Sequence, residues 1–224
     1  MIVHEREPVT LVGGASVTQA RLERAMRLAP YVVAADGGAD AALACGVEPR
    51  AVIGDFDSLS QTARDTLPPE ALHLIAEQDS TDFDKCMRSI RSPLMVGIGF
   101  SGDRLDHQLA AYNTLVRNPG QRCLLLGAEE LLFLAPPALA LDLARGTRVS
   151  LFPMGAVEGV SEGLNWPING LNFAPDGRVG TSNFATGPVH LSMTAPKMLV
   201  ILPESAFEVA AQALLAASAF WPQD

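Results

Sequence analysis

The chain has 224 residues, of which 48% are hydrophobic and 18% charged, so it can bury one or two cores and is too apolar to be disordered. Its 16 basic and 25 acidic residues give a formal net charge of −9, which disfavours nucleic acid or an anionic membrane as a partner. The charged N-terminal residues and the absence of a run long enough to span a bilayer predict a soluble, cytoplasmic protein. An acidic protein can place such a surplus on metal ions, provided that the carboxylates cluster.

The first half of the chain alternates short apolar runs with helical patterns, which is typical of βα units around a mostly parallel sheet. The predicted strands are residues 9–12, 31–35, 51–53, 72–76 and 94–98. Thr18 is expected to cap the first helix, and further helices are expected after the second, fourth and fifth strands. We therefore predict an α/β domain over residues 1–119.

Beyond residues 118–120, Asn-Pro-Gly, the pattern changes to short strand-like runs separated by Gly, Pro and Asn. The clearest runs are residues 122–126, 148–152, 189–193 and 198–202. They predict a separate all-β domain over residues 120–224. An Ala-rich segment, residues 204–220, has no internal Gly or Pro and predicts a helix near the end of that domain.

The strongest polar cluster follows the third predicted strand, where open α/β sheets bind their ligands. An extended backbone there would turn Asp55 and Asp57 to one side and Phe56 into the packing, so that the two carboxylates could share a cation. An Asx-turn that caps the next helix explains the same residues equally well.

A second cluster, residues 79–85, places three acids and a lysine around a predicted helix start. Asp82 and Lys85 would be neighbours on the helix surface and could offer one group to Mg²⁺ and the other to a phosphate. Acids in a first helical turn are also favoured by the helix dipole alone, so both interpretations stay open.

A third cluster, residues 99–107, combines a glycine loop, a predicted helix N-terminus and Arg104, which together suit a phosphate group. It has neither the Walker A ending nor the GxGxxG spacing. His107 fits a structural role as well as a catalytic one. In a fourth cluster, the glycines that follow Asp36 would let a ligand approach the backbone closely.

In the β domain, Trp166 could stack on an aromatic, cationic ring, although a tryptophan of the core or of an interface is the commoner case. Ser182 and Asn183 could contact the same ligand or simply form a turn.

Taken together and in order, these motifs resemble the thiamine pyrophosphokinase (thiamine diphosphokinase) family, and the resemblance spans nearly the whole chain. The motifs that carry it are Ala35-Asp36-Gly37-Gly38-Ala39, Gly54-Asp55-Phe56-Asp57-Ser58, Asp79-x-Thr81-Asp82-x-x-Lys85, Gly99-x-x-Gly102-x-Arg104-x-Asp106-His107, Gly163-Leu164-x-Trp166 and Ser182-Asn183. The resemblance implies an N-terminal α/β domain that binds ATP, a C-terminal β-sandwich, and a homodimer with thiamine at its interface.

The resemblance also implies a reaction, in which the pyrophosphoryl group of Mg-ATP passes to the hydroxyl of thiamine to give thiamine diphosphate and AMP. Such a transfer needs positioning and charge neutralisation more than covalent help. The implied Mg²⁺ ligands are Asp55, Asp57 and Asp82, with Asp79 as a fourth or outer member. Lys85 and Arg104 would hold phosphates, and Asp57 could accept the hydroxyl proton.

The remaining assignments also follow from the resemblance. The residues expected to line the nucleotide pocket are Asp36, Gly37, Gly38, Gly102, Arg104, Asp106 and His107. Trp166, Ser182 and Asn183 would receive thiamine. Two features do not match the family pattern: Asp103 stands where many relatives have a second glycine, and the Ala-rich C-terminal segment corresponds to none of the family's motifs. That segment would either pack on the β domain or extend the dimer contact.

Two other functions are compatible with parts of the sequence. A haloacid-dehalogenase-type phosphatase would use Asp55 as a nucleophile, but Leu59 stands where that motif requires Thr or Val. A non-catalytic nucleotide-binding or thiamine-binding protein would have less need of the metal-binding carboxylates.

Overall fold

A computed structural model describes residues 1–102 and 104–222, and the chain divides into two compact units, residues 1–114 and 115–224. Asp103, whose role the sequence left open, lies outside the described residues. Among the residues that are described, no helix combines the length and apolar character that a membrane span requires. The roles expected for residues 1–119 and 120–224 stay predictions.

Strands and helices alternate in the first unit, as the sequence pattern predicted. They are β1 (Val3–His4), β2 (Val9–Val12), α1 (Gln19–Leu28), β3 (Tyr31–Ala35), α2 (Gly38–Ala44), β4 (Ala51–Gly54), α3 (Gln61–Thr66), β5 (Leu72–Leu74), α4 (Asp82–Ser89), β6 (Ile90–Arg91), β7 (Met95–Ile98) and α5 (Leu105–Arg117), the last of which crosses into the second unit. Strands β3, β4 and β5 pair in parallel, as do β2 with β7 and β1 with β6. Parallel pairing brings the carboxyl ends of neighbouring strands to the same edge.

Side-chain caps fix where several of these helices begin. The hydroxyl of Thr18 accepts a hydrogen bond from the amide of Arg21 at 3.3 Å, which confirms the predicted cap of α1. Ser60 caps α3 and Thr81 caps α4 in the same way. Each cap satisfies an amide that the first turn of a helix leaves without a partner. Thr18, Ser60 and Thr81 therefore each have a role in the local fold.

The start of α2 lies so close to β2 that only glycine fits. A β-carbon at Gly38 would stand 2.0 Å from the carbonyl oxygen of Val12. Gly38 is itself buried, so the second glycine of the Asp-Gly-Gly motif is explained by packing.

The second unit is built from antiparallel strands and a helix. They are β8 (Cys123–Leu126), β9 (Glu130–Leu134), β10 (Ala138–Leu141), β11 (Arg148–Pro153), β12 (Val157–Leu164), β13 (Asn172–Phe173), β14 (Gly180–Met193), β15 (Met198–Pro203) and α6 (Phe207–Ala216). The long strand β14 pairs with β10, β11 and β12, and the order continues from β11 through β15 and β9 to β8.

The predicted C-terminal helix is shorter than the Ala-rich pattern suggested. It begins at Phe207 after a 3₁₀ turn and ends at Ala216. Arg122 donates to the carbonyls of Leu215 and Ala217 at 3.2 and 2.6 Å, which satisfies the end of the helix. Trp221 donates to the carbonyl of Ala135 at 2.8 Å, so the segment packs on the second unit.

Candidate active site

An open cavity of about 760 Å³ lies in the first unit, within the size range of ligand sites. Its walls come from the segments that follow β2, β3, β4, β5 and β7, which are the carboxyl ends of the parallel strands. The lining residues are Gly14, Ala15, Ser16, Ala35, Asp36, Gly37, Asp55, Asp57, Ser58, Gln78, Ser80, Thr81, Asp82, Phe83, Gly99, Phe100, Gly102, Arg104, His107 and Ala111.

Three carboxylates meet in this cavity. Asp36, Asp55 and Asp57 each place one carboxylate oxygen within 4.8 Å of the other two. Asp36 is only 2% exposed; its Oδ2 accepts from the amide of Ser58 at 3.2 Å, whereas its Oδ1 has no hydrogen-bond partner among the described residues. Desolvation raises the pKa of Asp36 to about 6, and the nearby charges of Asp82 and Asp57 act in the same direction. A buried oxygen without a partner, beside other carboxylates, is a position that a cation would stabilise.

The loop with Asp55 and Asp57 brings its acids together through a turn. Phe56 has a left-handed backbone with φ of 64°, and the amide of Asp57 donates to Oδ1 of Asp55 at 3.2 Å. The Asx-turn is therefore present, although Ser60 and not this turn caps α3. The carboxylates still converge, while Phe56 packs on the core cluster around Val52. The extended alternation that the sequence suggested is wrong. A left-handed non-glycine residue costs about 1–3 kcal/mol, and such strain concentrates at functional sites.

The site has little space behind these acids. Asp36 also has a left-handed backbone, with φ of 44°, and a β-carbon at Gly54 would stand 2.8 Å from the β-carbon of Asp36. Gly54 therefore permits the close approach of the two loops.

Lys85 lies between two carboxylates rather than in the cavity wall. Its Nζ is 2.7 Å from Oδ2 of Asp55 and 3.0 Å from Oδ1 of Asp82, and the side chain is 1% exposed. Burial alone would lower the pKa of Lys85, but hydrogen bonds to the two carboxylates outweigh it and raise the pKa. The hydrogen bond from Lys85 lowers the pKa of Asp55. Gln78 also donates to Oδ2 of Asp55, at 3.1 Å. Lys85 thus keeps Asp55 ionised and fixes the orientation of both acids.

The other residues predicted for the nucleotide end divide into two groups. Gly37, Gly102, Arg104 and His107 line the cavity together with Asp36, whereas Gly38 and Asp106 are absent from its lining, as is Asp79, which was predicted as a metal ligand. Arg104 and Asp106 form an ion pair of 2.7 Å with both side chains about two-thirds exposed. Asp79 is exposed, and Asp82 lines the cavity beside the three-acid cluster.

The three residues predicted to receive thiamine lie in the second unit, where two of them contact each other. Asn183 accepts from the amide of Trp166 at 3.1 Å and donates to the carbonyl of Trp166 at 2.7 Å. The indole is 58% exposed and meets Phe184 edge-on at 5.4 Å. Ser182 is left-handed, with φ of 63°, and its amide donates to Ser150. Asn183 therefore positions an exposed tryptophan.

The sequence assigned Asp36 to the nucleotide pocket rather than to the metal ligands, and it did not single out Gln78, Ser58 or Phe100. A signal for Asp36 was available, because it directly follows β3, the strand that pairs with β4. Ser58 and Phe100 lie inside motifs whose other residues were predicted to be site residues. Gln78 precedes its motif and carries no signal of its own.

Residues 22–125 match a family model described as the catalytic domain of thiamin pyrophosphokinase. Among curated proteins, thiamine pyrophosphokinases 1 and 2 of Arabidopsis thaliana are 27% and 28% identical to the chain over 155 residues. Those matches cover 61% of this chain and 58% of each relative, so the matched region spans less than two thirds of their length.

Solved structures share the fold. Thiamin pyrophosphokinase from Candida albicans superposes with a TM-score of 0.74 at 15% identity, over 90% of this chain and 92% of that one. Yeast thiamin pyrophosphokinase gives 0.73 at 16% identity, over 94% and 89%. Together with the family model and the curated relatives, they confirm that the chain resembles the thiamine pyrophosphokinase family, with the match to its catalytic domain over residues 22–125.

Proposed function

We propose that the chain is a thiamine pyrophosphokinase, which transfers the pyrophosphoryl group of ATP to the hydroxyl of thiamine and releases AMP. One observation carries the proposal: the cluster of Asp36, Asp55 and Asp57 lies in a large cavity at the strand ends, inside the region that matches the catalytic-domain model. Transfer between phosphates and an alcohol needs such a charged, preorganised site.

The residues present fit a divalent cation, and we propose Mg²⁺. The unpartnered Oδ1 of Asp36 and the neighbouring oxygens of Asp55 and Asp57 form an all-oxygen donor set, which this ion prefers. Asp82 lies close enough to share Lys85 with Asp55 and completes the acidic wall. A bound ion would neutralise charge on the phosphate oxygens. Asp79, exposed and outside the lining, would act only through its neighbours.

Arg104 is the cation that we assign to the phosphates of ATP. It lines the cavity, and its pair with Asp106 is exposed, so exchanging that partner for a phosphate costs little. Lys85 would act indirectly, by fixing Asp55 and Asp82. Asp57 lines the cavity and would accept the proton of the thiamine hydroxyl.

The same proposal assigns the second unit a β-sandwich fold and the thiamine-binding role, with thiamine at the interface of a cytoplasmic homodimer. Its support is the exposed indole of Trp166, held by Asn183 and presented beside Phe184. An exposed aromatic face suits the cationic thiazolium ring of thiamine.

One incubation tests the reaction. The purified protein is supplied with ATP, Mg²⁺ and thiamine, and the nucleotide products are resolved; the proposal requires AMP, and only when thiamine is present. Formation of ADP or free phosphate would contradict it. A phosphatase that uses Asp55 as a nucleophile is disfavoured, because Leu59 stands where its motif requires Thr or Val.

Replacing Trp166 by alanine should raise the KM for thiamine about tenfold and leave the KM for ATP unchanged, because one stacking contact is worth roughly 1–2 kcal/mol. Trp221→Ala is the matched control: this tryptophan bonds to the carbonyl of Ala135, so its loss should lower the melting temperature without a specific effect on thiamine. An unchanged KM for thiamine in the Trp166 variant would show that Trp166 does not bind thiamine and has a structural role.

A further inference from the structure

The loop that carries Asp55 and Asp57 is held from outside the cavity by Arg64, a residue of α3. Its Nη2 donates to the carbonyl oxygen of Phe56, and its Nε donates to the carbonyl of Leu59 at 3.4 Å. The guanidinium also lies over the ring of Phe56, 5.6 Å from the ring centroid. Arg64 is not among the residues that line the cavity. One side chain thus holds both the backbone and the ring of the loop.

Phe56 is the residue whose conformation decides where the two acids point. It stands between Asp55 and Asp57, and its φ of 64° is a conformation that a side chain with a β-carbon adopts only when its surroundings hold it there. The hydrogen bond from the amide of Asp57 to Asp55 depends on the same turn. A contact that fixes the carbonyl of Phe56 therefore fixes both carboxylates.

Arg64 extends from a helix that is itself anchored. The hydroxyl of Ser60 caps α3 by accepting from the amide of Ala63 at 3.0 Å. The amide of Ser60 donates to Asp40 of α2 at 3.0 Å, and the hydroxyl of Ser60 donates to the same carboxylate. The helix start is therefore tied to α2, and Arg64 connects this fixed support to the loop.

We propose that Arg64 is a positioning residue for the metal-binding acids, which acts by holding Phe56 in its left-handed conformation. Groups behind metal ligands fix the orientation of those ligands, and their loss commonly weakens metal binding. The inference rests on the proposed function, because it concerns the same metal site. Lysine cannot replace the arginine fully, since it lacks the planar fork that reaches two carbonyls while stacking on a ring.

The test measures Mn²⁺ binding to the purified full chain without nucleotide or thiamine. Arg64→Ala should weaken Mn²⁺ binding by about 10- to 100-fold, and Arg64→Lys should lie between it and the wild type. Arg50→Ala is the matched control, because Arg50 lies over the ring of Tyr31 at a similar 5.5 Å but contacts no part of the acidic site. If Arg64→Ala does not fold, the Mn²⁺ affinity of Arg64→Lys is compared with that of the wild type instead.

A second variant separates positioning from general support of the fold. Glycine adopts a left-handed φ without help, so the loss of Mn²⁺ affinity caused by Arg64→Ala should be smaller in a Phe56→Gly background. Three results would each overturn the inference. The Arg64→Ala variant could bind Mn²⁺ as tightly as the wild type, the Arg50→Ala variant could lose as much Mn²⁺ affinity as Arg64→Ala, or the wild type could bind no Mn²⁺. If Arg64→Ala weakens Mn²⁺ binding but the wild type forms no AMP with thiamine, the proposed function fails and the positioning role stands.

Discussion

Replacing Asp57 by asparagine should lower kcat by about a thousandfold while the protein still folds. Asp57 lines the cavity, contributes one oxygen to the three-acid cluster and is exposed, so the substitution removes a charge from the site without opening a cavity in the core. The melting temperature should therefore change little. Steady-state formation of AMP from ATP and thiamine measures the loss, and the melting temperature without metal checks the fold.

The matched control for this variant is Asp65→Asn. Asp65 is an exposed carboxylate of α3 that accepts a hydrogen bond from Gln61 within the same helix, so its change removes the same charge away from the cavity. Its kcat should equal that of the wild type. An Asp57 variant that keeps more than about a tenth of wild-type turnover would remove Asp57 from the metal ligands and from the role of proton acceptor.

The general placement of the acids was predictable because it depends on periodicity and connectivity. Apolar runs at 31–35 and 51–53 predicted neighbouring strands, and β3 and β4 pair in parallel, which brings Asp36 and Asp55 to one edge. Residues at strand ends in such a sheet converge whatever their side chains are. The helix caps were predictable for a similar reason, since Thr18 needs only the local backbone.

Features that depend on three-dimensional contacts were not predictable. Spacing shows that Asp82 and Lys85 share a helix face but not what stands opposite them. In the structure the ammonium group of Lys85 also donates to Asp55, 30 positions earlier. The left-handed Phe56 follows no residue preference, since that conformation is adopted routinely by Gly and at times by Asn or Asp, but not by Phe. Strands β1 and β6, of two residues each, are too short for a periodic pattern.

Replacing Asp36 by asparagine should stabilise the metal-free protein at neutral pH and abolish catalysis. Burial raises the pKa of Asp36 from 3.8 to about 6, so the folded state binds this proton more tightly than the unfolded state does. The stability that this proton provides is complete below pH 3.8 and is lost as the pH rises through about 6, so the ionised group costs about 3 kcal/mol at pH 7 and above. Asparagine carries no charge and avoids that cost.

Denaturant unfolding in the presence of a chelator, at intervals between pH 4 and 8, measures this effect. The free energy of unfolding of the wild type should fall relative to that of Asp36→Asn by up to about 3 kcal/mol across this range, whereas Asp65→Asn should follow the wild type. Saturating Mg²⁺ should reverse the order at pH 7.5, because a bound cation stabilises the ionised carboxylate and the asparagine variant loses that ligand. Parallel pH profiles for the wild type and Asp36→Asn would show that Asp36 does not titrate near pH 6. The unpartnered Oδ1 of Asp36 would then have to be satisfied by something other than a cation, and the acidic cluster would lose its main physical reason to bind one.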